Sequence, residues 1–107
     1  MLRGVLVTLA MLAGMTSAFA NCYEGIGCDD SDTFRRADLR QLSCQSLWEV
    51  RNWIYKQNGY CFSTQRAKNA FGNDGCWITN QSQVKLNAIE RENVAAITAV
   101  EKSRGCN

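Results

Sequence analysis

The stretch SCQSLWEVRNWIYKQNG, residues 43–59, decides how this chain is read. Ser43 is a good N-cap, and Asn58-Gly59 supplies two residues that tolerate the left-handed conformation ending a helix. At about 100° per residue, Cys44, Leu47, Trp48, Val50, Ile54 and Tyr55 fall on one arc of roughly 160°. Gln45, Glu49, Asn52 and Lys56 fall opposite. The pattern predicts an amphipathic helix from Ser43 to about Gln57, with one face committed to a core. Two residues break it. Arg51 lies inside the apolar arc, where an unpaired guanidinium is costly, so it is expected to act as a clamp on backbone carbonyls or a carboxylate, fastening a loop to the helix. Trp53 lies on the polar side near Ser46, Glu49 and Gln57. It is expected either to be covered by the segment before the helix or to meet a partner.

Downstream, a shorter helix is expected over residues 64–71, capped by Ser63 or Thr64 and stopped by Gly72. Asn73-Asp74-Gly75 is a turn signal leading to Cys76-Trp77-Ile78, and the polar run 80–83 reads as a loop. A third helix starts at Asn87, with Glu90 three residues on in a capping-box arrangement, and runs to Arg104 before Gly105. Ile89, Ala96, Ile97 and Val100 form its stripe. Asn93 sits among them and, if buried, needs partners; it is paired with Arg51 here as a second structural clamp.

Upstream, residues 21–41 read as irregular, with Asp29-Asp30-Ser31-Asp32 as a solvated turn. The glycine and terminal glutamate of a calcium loop are missing from that run. Residues 1–20 read as a signal peptide: Arg3 gives a positive start, an apolar run from Val5 to Ala13 follows, and Ala18-Phe19-Ala20 is a cleavage pattern. Cleavage after Ala20 predicts a periplasmic or extracellular protein, and the run is too short for a retained membrane span.

The chain has 107 residues, six cysteines, no histidine, no proline and a net charge of +2. One small domain is all that length allows, and the near-neutral balance gives no reason to expect nucleic acid. An exported chain of this size and cysteine content points to disulfides rather than zinc, and no metal or other cofactor is expected. Six cysteines allow fifteen pairings. If the two long helices pack antiparallel, Cys44 and Cys106 meet at one end. Cys61 and Cys76 flank the short helix and its turn, and Cys22 and Cys28 remain as a local clasp. The fold class expected is mainly α: a small disulfide-stapled bundle of two longer helices and one short helix with long loops.

From Leu42 to Cys106 the chain resembles the YARHG domain, a family of small extracellular bacterial modules. The resemblance rests on Leu42-Ser43-Cys44, Leu47-Trp48, Arg51-Asn52, Ile54-Tyr55, Gly59-Tyr60-Cys61-Phe62, Phe71-Gly72-Asn73, Gly75-Cys76, Leu86, Glu90-Arg91, Asn93 and Gly105-Cys106. The naming motif has drifted: Tyr55 and Gly59 stand, with Lys56, Gln57 and Asn58 between them in place of alanine, arginine and histidine. The resemblance implies a domain and a compartment, and no reaction.

Catalysis is not expected. There is no imidazole to activate a nucleophile, and the thiols are assigned to bridges. Glu90 is used in a cap, Asp74 in a turn, Asp29 to Asp32 in a loop, and Glu49, Glu92 and Glu101 on helix surfaces, which leaves no carboxylate pair for glycan hydrolysis. The expected role is an exported, non-catalytic binding or accessory module of the bacterial envelope, its partner an envelope protein or wall glycan and its contact residues Trp53 and Trp77. The alternatives are a secreted effector or small toxin and, further off, a cell-wall glycan hydrolase.

Overall fold

A computed structural model describes residues 21–106. The expected signal peptide and its cleavage point lie outside the described residues. The segment expected to be irregular carries regular structure. A two-stranded antiparallel hairpin pairs β1 (Cys22–Tyr23) with β2 (Gly27–Cys28), and a single helical turn, α1 (Arg36–Leu39), follows. Then come α2 (Cys44–Gln57), α3 (Gln65–Phe71), a short 3-10 turn (Gln81–Gln83) and α4 (Ala88–Ser103).

The helix ends follow the local signals. Ser43 Oγ accepts from the Ser46 amide at 3.0 Å, and Thr64 Oγ1 from that of Ala67 at 3.2 Å. At α4 the capping box is closed on both sides: Asn87 Oδ1 accepts from the Glu90 amide at 2.7 Å, and Glu90 Oε1 accepts from the Asn87 amide at 2.9 Å. The other carboxylate oxygen of Glu90 accepts from Asn58 Nδ2 at 3.1 Å, and Asn58 also donates to the Ile54 carbonyl at 2.8 Å. Asn58 thus closes the end of α2 and ties it to the start of α4. At the other end, the Cys44–Cys106 disulfide joins the start of α2 to the end of α4. The two long helices are therefore antiparallel and fastened at both ends.

Between them lies the core: Leu47, Val50 and Ile54 from α2, Ala96, Ile97 and Val100 from α4, and Phe34 and Leu39 from the N-terminal segment. Residues before Leu42 are thus part of the hydrophobic centre, which explains why a chain this short can bury one. Three disulfides, Cys22–Cys28, Cys44–Cys106 and Cys61–Cys76, use every cysteine. Among the described residues no helix is long and apolar enough to cross a membrane.

Candidate functional site

The inward-facing polar groups come first, because they hold the surfaces in place. Arg51 grips Glu101 with two parallel hydrogen bonds, Nε to Oε1 at 2.7 Å and Nη2 to Oε2 at 3.1 Å. The fork therefore binds helix to helix, not helix to loop. Glu101, read from the sequence as a surface residue, is buried. Asn93 is fully buried and does not join Arg51. Its Oδ1 accepts from the Phe34 amide at 2.8 Å, while Nδ2 donates to the carbonyls of Asp29 at 3.0 Å and Asp32 at 2.8 Å. One side chain on α4 thereby fastens the N-terminal segment. Asn52, placed by periodicity on the solvent side, is buried and donates to the Trp48 carbonyl at 2.9 Å.

The acidic run is not a solvated turn throughout. Asp30 is exposed, but Asp29 has no accessible surface. Asp29 Oδ2 accepts from the Tyr23 hydroxyl at 2.8 Å and from Gln57 Nε2 at 3.1 Å, while Oδ1 is buried without a hydrogen-bond partner. Asp32 Oδ2 closes the hairpin by accepting from the Cys28 amide at 2.8 Å. Burial pushes the Asp29 carboxyl above the usual carboxylate range. The Tyr23 and Gln57 donors oppose this, and the charges of Glu90 and Asp30 add to it. The Tyr23 hydroxyl is raised too, first by burial and then by the carboxylate beside it. The pair behaves as a hinge pin, locking the hairpin against the end of α2.

That lock forms one wall of a surface groove. Tyr23 and Ile26 of the hairpin, Val50 and Trp53 of α2, Leu42 before it and Phe71 at the end of α3 line an open groove of ≈ 440 Å³. Glu24, Ser46 and Glu49 also line it, so an apolar trough carries two carboxylates. Trp53 is half-buried here and lines the same groove as the hairpin residues Tyr23 and Ile26. Phe71 organises the wall: its ring lies 5.6 Å from Trp48, 5.7 Å from Trp53 and 5.2 Å from Phe62. Arg66 stacks over Trp48, its guanidinium carbon 3.8 Å from the ring centroid. Sequence reasoning missed Phe71 as a hub because a helix's last residue carries little periodic signal.

Trp77 stands apart from the groove. It is 71% exposed, the large apolar side chain most out of place among the described residues. Its ring nevertheless rests on Gly59: a Cβ added there would lie 2.5–2.6 Å from three indole atoms. Such near-equal distances put the ring's face, not its edge, against the glycine. Gly59 also has φ 92°, so the position demands glycine twice over. The Trp77 and Ile78 amides both donate to the Gly59 carbonyl at 3.0 Å, and the Cys61–Cys76 bridge adjoins them. Gln57, Asn58, Ile78, Gln83 and Lys85 complete a shelf of ≈ 390 Å³ around the indole. Trp53 and Trp77 are thus on two different surfaces.

Among the described residues no group of three or more His, Cys, Asp or Glu side chains is arranged to hold a metal ion. The chain matches no curated protein and no solved structure. The family model for the YARHG domain matches residues 29–102, beginning at the buried Asp29 and so taking in the core residues Phe34 and Leu39 as well as all three longer helices up to Lys102. A match over most of the chain makes this protein a member of the YARHG domain family.

Proposed function

We propose that the protein is an exported, non-catalytic binding module of the bacterial envelope, and that the groove beside Trp53 is where it docks a protein partner. The observation that carries this reading is the groove itself. It is an apolar trough open to solvent, walled by aromatic rings and bearing Glu24 and Glu49. Aromatic walls around an apolar floor are the composition of interaction hot spots, and two carboxylates favour a partner with a basic residue next to a bulky apolar one. Three disulfides and a small extracellular-type domain support an oxidising compartment outside the cytoplasm. Three of the carboxylates have structural duties: Glu90 closes a cap, Glu101 pairs with Arg51, and Asp29 is sealed inside; the two in the groove, Glu24 and Glu49, are assigned to partner contact.

The test places a photo-crosslinking amino acid at Ala70, an exposed groove-lining position, in cells secreting the protein. The expected result is one dominant protein adduct that Trp53→Ala and Glu49→Lys each reduce. An adduct pattern indifferent to both substitutions, or none at all, overturns the docking role.

A further inference from the structure

Trp77 carries an inference independent of the groove. A large apolar ring left 71% exposed usually marks a fault or a contact surface, and this one is built rather than left over. One indole face is seated on the Cα of Gly59, where any side chain would collide with it, and the backbone on both sides is tied to the Gly59 carbonyl and a disulfide. The opposite face is therefore presented to solvent in a fixed orientation, with little rotamer freedom left to lose on binding.

What surrounds the ring says what would lie on it. A protein hot spot would have an apolar surround, but here the neighbours, apart from the half-buried Ile78, are amides and one ammonium. Gln57 and Asn58 donate through nitrogen into the protein, to Asp29 and Glu90 among others, which leaves their carbonyl oxygens as acceptors. The side chains of Gln83 and Lys85 are exposed and make no hydrogen bond among the described residues. A flat apolar face ringed by neutral donors and acceptors fits a pyranose, whose axial C–H groups cover an aromatic ring while its hydroxyl or acetamido groups reach the rim. Lys85 adds a single cation on that rim. Glu90, the nearest carboxylate in the network behind Asn58, has both oxygens engaged.

We infer that the Trp77 face is a saccharide-binding site selective for a sugar that carries a carboxylate, with Trp77 as the platform, Gln83 as a hydroxyl or acetamido contact and Lys85 as the carboxylate contact. The test is an NMR titration of the oxidised, isotope-labelled protein, following the Trp77 indole N–H, with two probes. One is the neutral disaccharide of N-acetylglucosamine. The other is the disaccharide of N-acetylglucosamine and N-acetylmuramic acid, which differs in bearing a lactyl carboxylate. The expected result is weak binding of both, with the acidic sugar about two- to fivefold tighter, the range of one solvent-exposed ion pair. Lys85→Ala removes the preference, and Gln83→Ala weakens both sugars; neither exposed position threatens folding. Trp77→Ala, followed through the Gln83 side-chain amide instead, abolishes binding of both. Equal affinity for the two sugars overturns the carboxylate selectivity. No shift of the Trp77 resonance with either sugar, or shifts that survive Lys85→Ala and Gln83→Ala unchanged, overturns the site and leaves the groove reading where it stands.

Discussion

Asp29 shows how one residue's environment decides its role. By composition it belongs to an acidic, solvent-facing run, yet it is sealed under the hairpin with one oxygen bonded twice and the other not at all. Its carboxyl is raised by burial, so the folded protein holds that proton more tightly than the unfolded chain. A raised carboxyl contributes most below its unfolded value of about 3.9, and that contribution is lost as pH rises through the higher folded value. Asp29→Asn keeps an oxygen for Tyr23 and Gln57 and removes the buried charge. The variant is expected to be as stable as the parent or more so at pH 7, with the advantage shrinking toward pH ~4, because protonation removes the same charge from the parent. Urea melts of both proteins at the two pH values measure it; an Asn variant clearly less stable at pH 7 means the ionised carboxylate is required. None of this was legible from sequence, where four residues of similar polarity gave no sign that one of them turns inward.

At the scale of elements, the two long helices were legible in both extent and capping, because N-cap, capping box and glycine stop are signals carried within a few residues. The contact between them was half legible. Arg51 announces itself as a charge in an apolar arc, but Glu101 was assigned to a helix surface even though Asn93, Ile97 and Glu101 recur at four-residue spacing, which puts them on one face. Two misfit charges on two amphipathic faces were each other's solution. Because Arg51 is only half-buried, Arg51→Met is expected to cost about 1–3 kcal/mol, most of it from leaving the Glu101 carboxylate buried and unpaired. Adding Glu101→Leu should recover most of that loss, since a well-packed apolar pair replaces an ion pair at little net cost. A double-mutant cycle by urea denaturation checks both numbers; a Met variant as stable as the parent removes the clamp.

For the molecule as a whole, stability depends on closing long loops in a chain with a modest core. Cys44–Cys106 spans 62 residues, Cys61–Cys76 spans 15 and Cys22–Cys28 spans 6. In the chain-entropy account the longest bridge contributes about 4 kcal/mol. The Cys44→Ser, Cys106→Ser double variant is therefore expected to melt roughly 15–30 °C lower than the parent in a calorimetric scan. A shift of only a few degrees would assign the stability to the helix interface instead.

Sequence by itself determined the three longer helices with their caps and stops; the antiparallel direction of the long pair was a condition that the Cys44–Cys106 bridge met. The helix signals are local: a hydroxyl at an N-cap, an apolar stripe every three to four residues, a glycine where φ turns positive. Tertiary structure alone decided which polar groups face inward, that the N-terminal segment lends Phe34 and Leu39 to the core, and that Trp53 and Trp77 end on separate surfaces. Each of those outcomes depends on the rotation of one helix against another and on partners up to 64 residues apart, as Asn93 is from Asp29, and no short stretch of chain encodes either.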